Sequence, residues 1–509
     1  MELPKGTIRG EELNTLFKDS IEYHRRTFYE ILSQYDSDTL FHNWRTIIRS
    51  TDEMINIPLE LKNEEDIEFY LNLFFDFSNP MNYFSLNHTL SMLQKNFDSE
   101  VAERFKLIAF ISFGLDVTYQ VHKIFEAMGS NMRLDSTKNS INYFQSRRLY
   151  YLTTLNIIPK VAKGDKKLEY KTTLSDLNYS MEGCLMGITN AYYNLLLNSC
   201  LPDFEMHSDG ISAKPNYNYS HLDDFFLEPQ RLSLSDQLTF RANQVIFNKK
   251  HPLPKGQIFS FNEIRGTMSI FSGAFDKYNI KESPKYKLLD SFIEDISIYV
   301  EDDYDILISE NIFKSLYIKY KKLELYNPSD DYFTLLNSYS PFQKNNDTYY
   351  STVVLVGKFV YRVLTDVLSK NKSFQINSGF IFEDMVSKIL EKHDFQLTGI
   401  TRINRKEFDV ITLKDNKIYN FQCKNSFIDI SRVDGDYIKI GRLNRKLVSY
   451  YARALKKEVN REHLVKEKLD NEIIEHFVVS RYPVITRNNK IINFNDLERW
   501  LKDFNQYSF

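Results

Sequence analysis

The stretch GFIFEDMVSKILEKHDFQLTGITRINRKEFDVITLKDNKIYNFQCKN, residues 379–425, decides how the C-terminal part of this chain is read. At about 100° per residue, Phe382, Met385, Val386, Ile389 and Leu390 fall on one arc, which predicts an amphipathic helix over 379–393. Glu383 lies at the edge of that arc beside Leu390, whereas Asp384 points to the opposite, solvent side. Three strand-like runs follow at 396–402, 407–413 and 418–424, with Lys414-Asp415-Asn416-Lys417 as a tight turn between the last two. Alternation sorts their side chains. Gln422 and Lys424 share one face of the third run, while Phe421 and Cys423 point into an apolar layer. On the second run Phe408 and Val410 are expected in the core and Asp409 on the other side. The short turn makes these runs neighbours, so Asp409, Gln422 and Lys424 converge, and Glu383 can reach them from the helix.

That grouping suits phosphodiester hydrolysis. The reaction needs an activated water, a held phosphate and a neutralised leaving oxygen, and a divalent cation on oxygen ligands supplies much of this. Asp409 is the expected direct ligand of Mg²⁺, with Mn²⁺ able to substitute. Gln422 offers an amide oxygen, the backbone carbonyl of Cys423 another, and Glu383 a carboxylate for a metal-bound water or a second ion. Lys424 is expected to contact the phosphate or orient the water, and to stabilise charge in the transition state. Taken alone, Asp-x12-Gln-x-Lys is a weak signal, because surface strands often carry these residue types.

The same residues resemble a known family. GxxFE on a helix, then EFDVI, then FQCK, is similar to the PD-(D/E)XK superfamily of restriction-endonuclease-like nucleases, and within it to the Mrr-like enzymes that carry Gln in place of the usual acid. The resemblance covers residues 375–485. Two features depart from the common pattern: Phe408 stands where a Pro often precedes the aspartate, and Gln422 stands where an acid is usual. The resemblance implies a restriction-endonuclease-like α/β domain with an αβββαβ core and a mixed sheet. Asp409, Gln422, Lys424 and Glu383 become its catalytic group, and DNA its substrate in restriction or anti-phage defence, with dimerisation to address two strands.

Downstream, a long helix is predicted over 437–469, then a strand at 476–485 and a short helix at 495–504. The long helix is crowded with cations, and Arg442, Arg445, Lys446, Arg453 and Lys456 fall largely along one side, interspersed with Tyr450 and Tyr451. A solvated face is the usual meaning of such a run; beside a nuclease-like site it equally suits a surface that follows the phosphate backbone. From residue 371 onward Lys plus Arg number 25 against 19 Asp plus Glu, so of the whole-chain totals of 65 and 68 the first 370 residues keep 40 and 49. A polyanion would meet the C-terminal part first.

Upstream, periodicity is mainly helical from about residue 10 to 200, with runs at 11–35, 65–75, 99–128 and 181–197. Residues 201–229 carry three prolines and clustered Asn, Asp and Ser, which predicts a loop or linker. Its His207, Asp209, His221, Asp223 and Asp224 lack the fixed spacing of a metal site and read first as a polar loop. Residues 230–370 are expected to be mainly helical, at 286–300, 311–325 and 350–369, after a hairpin near Pro252 to Phe261. VVLVGKF at 353–359 looks like the end of a phosphate-binding loop, but Phe359 replaces the required Ser or Thr, so an apolar helix is expected.

A chain of 509 residues is too long for one core, so the expected division is 1–200, 201–229, 230–370 and 371–509. Its three cysteines, Cys184, Cys200 and Cys423, form no spaced pair, and residues 1–14 have no apolar signal region. A reducing, cytoplasmic setting without a membrane span is therefore expected. The functional expectation is a Mg²⁺-dependent deoxyribonuclease whose helical N-terminal part senses a trigger or binds a protein partner. The alternatives are an inactive nuclease fold that binds nucleic acid or a partner, and a nuclease directed at RNA.

Overall fold

The computed structural model describes residues 3–122, 133–168, 173–210, 212–217, 256–278, 283–426 and 436–506. Two compact units emerge, and they interleave along the chain: one holds residues 15–192 and 242–364, the other residues 2–14, 193–241 and 365–509. The linear division at 200, 229 and 370 therefore differs from how the chain packs. The reason is long-range pairing, which leaves no local signature: Gly6–Arg9 lies antiparallel to Glu205–Ser208, which pairs in turn with Ala213–Pro215. Residues 201–217, expected as a loop, thus carry two strands. His207 there bonds Thr7 (Nδ1 to Oγ1, 2.9 Å), and Asp209 accepts from the Ser212 amide at 2.7 Å. His221, Asp223 and Asp224 lie outside the described residues, as does the end of the helix expected over 99–128.

In the first unit, helix Ser37–Glu60 is central. Asp36 caps it by accepting from the Thr39 amide at 2.9 Å, and helices Ser99–Val121 and Thr137–Val161 pack on it. Its fully buried Trp44 donates from the indole to the Tyr151 carbonyl at 2.8 Å. The same helix carries charges inside: Glu53 holds Arg104 (2.7 Å) and Arg49 (3.0 Å), and Asp52 holds Arg148 (2.6 Å). A separate buried pair joins Arg147 to Glu182 at 2.5 Å, with Tyr143 donating to the same carboxylate. Such pairs add little net stability but penalise any register that would separate them.

The described part of the region expected to be mainly helical carries helices Pro284–Ile296, Glu310–Lys319 and Val353–Leu368, and with them a four-stranded antiparallel sheet that was not expected, ordered Val300–Glu301, Asp305–Ser309, Thr348–Thr352, Gln343–Asn345. The helix expected over 350–369 begins only at Val353, because Tyr349 to Thr352 complete the ladder. Its VVLVGKF segment is helical, with Val353, Val356 and Phe359 buried. No strand covers the described part of the expected 252–261 hairpin; helix Phe261–Lys277 starts there.

The second unit is built on a mixed five-stranded sheet ordered Ile491–Asn493, Ile474–Ser480, Lys417–Lys424, Val410–Lys414, Gln396–Leu397. The first three strands are parallel and the last two antiparallel to their neighbours. Helix Lys372–Lys392 covers one face with Phe382, Val386 and Leu390 against Val410, Tyr419, Phe421 and Phe477, joined by Leu497 and Leu501 of helix Leu497–Gln506. Helices Tyr437–Val459 and Glu462–Leu469 cover the other face, through Tyr451 against Val478 and Val465 against Ile411 and Ile418. Asn371 accepts from the Phe374 amide and so starts the first helix seven residues before Gly379. The turn falls as expected: Lys414 faces Lys417, with Asp415 and Asn416 at φ of 49° and 58°.

Four expected elements are broken. The run 396–402 is interrupted at Gly399, and Arg402–Ile403 pairs with Lys406–Glu407 in a separate ribbon. This takes Phe408 and Asp409 out of the ladder, so Phe408 packs with Ile411 on the face opposite Val410 rather than beside Val410. The long helix divides at Asn460 and Arg461. The strand expected to reach 485 stops at Ser480, ahead of Pro483, which cannot donate to a ladder. No described helix is long and apolar enough to cross a membrane, and all three cysteines are free thiols.

The buried pair gives a stability test. Glu182→Leu strands the Arg147 guanidinium and should cost the first unit about 3–5 kcal/mol. Urea unfolding read by Trp44 fluorescence in a Trp500→Phe background measures it, and an unchanged midpoint would contradict the assignment.

Candidate active site

Asp409 stands just before the strand Val410–Lys414, where the ladder no longer holds it. The neighbouring strand holds it instead. Its Oδ2 accepts the backbone N–H of Cys423 at 2.7 Å and the side-chain amide of Gln422. The Lys424 ammonium lies 3.9 Å from the same oxygen and donates to the Cys423 carbonyl at 3.1 Å. Three of the four expected catalytic residues are thereby gathered within direct contact. The fourth, Glu383, is half-buried on helix Lys372–Lys392, while Asp384 pairs outward with Lys388 at 3.1 Å.

Electrostatics ties Glu383 to the group. Burial, followed by repulsion from Asp409, pushes its carboxyl up to about 7, with Lys424 opposing. Burial also raises Asp409, against the Lys424 charge and the donated hydrogen bonds. It lowers Lys424, and Asp409 offsets part of that effect. Two carboxyls whose ionisation burial opposes, Glu383 being further opposed by Asp409, form a site where a cation is worth most.

The available donors decide which cation suits. Among the described residues no group of three or more His, Cys, Asp or Glu could hold a metal, so a cation here would have two carboxylates and otherwise neutral ligands. In the arrangement seen, the Gln422 nitrogen faces Asp409 and the Cys423 carbonyl accepts from Lys424. Rotating the Gln422 amide exchanges its nitrogen for an oxygen, an assignment hydrogen bonding alone decides. The set is then all oxygen, and hard. That fits Mg²⁺ or Mn²⁺, which complete their shells with water and phosphate, better than zinc.

Behind the group runs a polar network that the sequence reading passed over. Glu458 is buried, takes a two-pronged bond from Arg461 (2.9 and 2.5 Å) and accepts from Asn420 at 3.0 Å. Asn420 also meets His476 at 3.1 Å, and His476 meets Glu462 at 3.2 Å. The Arg461 guanidinium lies 4.2 Å above the Phe408 ring, next to Asp409. Helical phase was the available signal: Glu458, the one acid among the cations, sits on the apolar arc with Tyr451. Arg481, also buried, donates its backbone N–H to the Lys424 carbonyl at 2.8 Å, and Asn425 donates to Ser378 at 3.0 Å. Both contacts fix the end of the central strand.

On helix Tyr437–Val459, Arg442, Arg445, Lys446, Arg453 and Lys456 are all exposed, opposite the buried Ile440, Asn444 and Tyr451. Arg445 is also committed to the protein, donating to the Ser199 carbonyl. Lys457, on the same exposed side, acts on the Lys424 charge through space, which sets this helix beside the site. Comparison with protein families, characterised proteins and solved structures finds no match for this chain.

The Glu383 shift has a defined sign. Its folded value of about 7 exceeds the ordinary 4.5, so the folded chain keeps a proton that the unfolded chain releases, and this contribution to stability falls as pH rises between those values. In EDTA, Glu383→Gln should therefore lose less stability than the wild type between pH 5 and pH 8, as read by denaturant unfolding. Parallel curves would contradict it.

Proposed function

We propose that residues 365–509 form a PD-(D/E)XK-type nuclease domain and that the chain is a Mg²⁺-dependent DNA endonuclease of restriction or anti-phage defence. One observation carries this reading: Asp409, Gln422, Lys424 and the Cys423 backbone meet at the end of a mixed sheet, with Glu383 close enough to be shifted by Asp409. Asp409 and Glu383, with the Gln422 amide oxygen and the Cys423 carbonyl, would hold the cation. When bound, Mg²⁺ supplies charge neutralisation and Lewis acidity at the phosphate.

The remaining work falls to side chains. The Lys424 ammonium faces the position of the scissile phosphate and stabilises the charge that grows on its oxygens. Glu383, beside the cation, would orient the attacking water and accept its proton as one P–O bond forms and another breaks. The exposed cations of helix Tyr437–Val459 hold the DNA backbone and steer it to the site. They confer affinity and salt dependence without base specificity.

A second reading, a fold that binds DNA without cutting it, is favoured by one feature: the Asp409 oxygen is already satisfied by Gln422 and Cys423 without a cation. Plasmid cleavage separates the two. Full-length protein with Mg²⁺ or Mn²⁺ should nick or linearise plasmid DNA, and Asp409→Ala and Lys424→Ala should each lower the rate by about 10²-fold or more while DNA binding persists. Intact plasmid with retained binding would establish the second reading, and cleavage of RNA alone would redirect the activity.

A further inference from the structure

The predicted basic helix resolves into two unlike tyrosines. Tyr451 is fully buried, with its hydroxyl 3.3 Å from Ser480 Oγ, whereas Tyr450 is 47% exposed. Their rings lie 5.9 Å apart at 53°, so the fixed ring of Tyr451 braces the exposed one. The neighbours of Tyr450 follow from helical phase. Arg442, Lys446, Tyr450, Arg453 and Lys457 fall within about 80° of arc at about 100° per residue. All five are exposed, and they alternate along the helix as cation, cation, ring, cation, cation.

From Arg442 to Lys457 the stripe is about 22 Å long at about 1.5 Å per residue, room for several nucleotides of one strand. Its Lys457 end is the one that acts on Lys424. The other charges facing outward from this helix are Lys439, Arg445 and Lys456, all positive. The acid that would interrupt them, Glu458, is turned inward and neutralised by Arg461.

We propose that this stripe is a track for an unpaired DNA strand, with phosphates on Arg442, Lys446, Arg453 and Lys457 and a base stacked on Tyr450. Cations alone would suit a duplex equally. On a duplex, whose bases are stacked on one another, a braced tyrosine between them offers only its hydroxyl to a phosphate, whereas to an unpaired strand it offers a π-face for an exposed base. The inference deepens the nuclease reading by naming its substrate class: DNA with single-stranded segments, such as overhangs, flaps or strands opened during replication. It does not depend on that reading being right, because binding is measured without cleavage.

Fluorescence anisotropy tests it on the full-length chain in EDTA, with a labelled single-stranded oligothymidine, a duplex of equal length and a single-stranded oligouridine. Tyr450→Ala should weaken oligothymidine binding by about 5-fold or more and duplex binding by less than about 2-fold. Tyr450→Trp should restore it. Lys446→Ala should weaken both DNAs together and lower the slope of log affinity against log salt by about one unit. Unchanged oligothymidine binding in Tyr450→Ala, equal losses on single strand and duplex, or Tyr450-dependent binding of oligouridine alone would each overturn the proposal. Because Tyr450 is exposed, an unchanged melting temperature shows that the variants are folded. Absence of cleavage of both plasmid and flapped or tailed DNA alongside Tyr450-dependent binding would refute the enzyme and leave the track standing.

Discussion

One hydrogen bond carries the site: the Cys423 backbone N–H to the Asp409 carboxylate. Asp409 has left the ladder of its own strand, because Arg402–Ile403 and Lys406–Glu407 fold into their own ribbon just before it. The bond turns an irregular residue into a fixed one and sets its charge between an amide, an ammonium and a second carboxyl. Sheet order matters here. The central strand Lys417–Lys424 is antiparallel to Val410–Lys414 as far as Phe421 and parallel to Ile474–Ser480 to its end, so the Asp409 bond ties down the end where the antiparallel ladder stops.

Charge placement on the two covering helices follows from that sheet. Helix Tyr437–Val459 must bury one side, and the buried side includes Glu458, which costs free energy unless paired. Arg461 and Asn420 pair it. This pairing keeps an acid out of the exposed cationic stripe and places the Arg461 guanidinium on Phe408. Two functions that look separate, surface charge and site geometry, thus share one ion pair.

Much of the site was legible because it depends on short-range rules. Strand alternation and a two-residue turn predict Asp409 beside Gln422 and Lys424, although the Cys423 N–H and not the ladder holds it there, and helical phase separates Glu383 from Asp384. The break before Val410 was not legible, since it depends on competition between two hairpins. The pairing of Gly6–Arg9 with Glu205–Ser208 was not legible either, as nearly two hundred residues separate the partners. In the middle region Thr348 to Thr352 are buried on both sides after the first residue, so they show no strand alternation, and they run directly into an apolar helix whose period hides them. Short strands such as Ile491–Asn493 carry too few residues to show any period. The αβββαβ order suggested by residues 375–485 is matched only coarsely, as a helix-covered mixed sheet.

The central claim is that the Asp409 cluster holds a divalent cation. Electron paramagnetic resonance titration of Mn²⁺ into the full-length protein at neutral pH addresses it without reference to any substrate. The account predicts saturable Mn²⁺ uptake that Asp409→Asn weakens by at least about tenfold and that Mg²⁺ competes away. Wild-type protein that takes up no Mn²⁺, or takes it up equally well with Asp409→Asn, would contradict it.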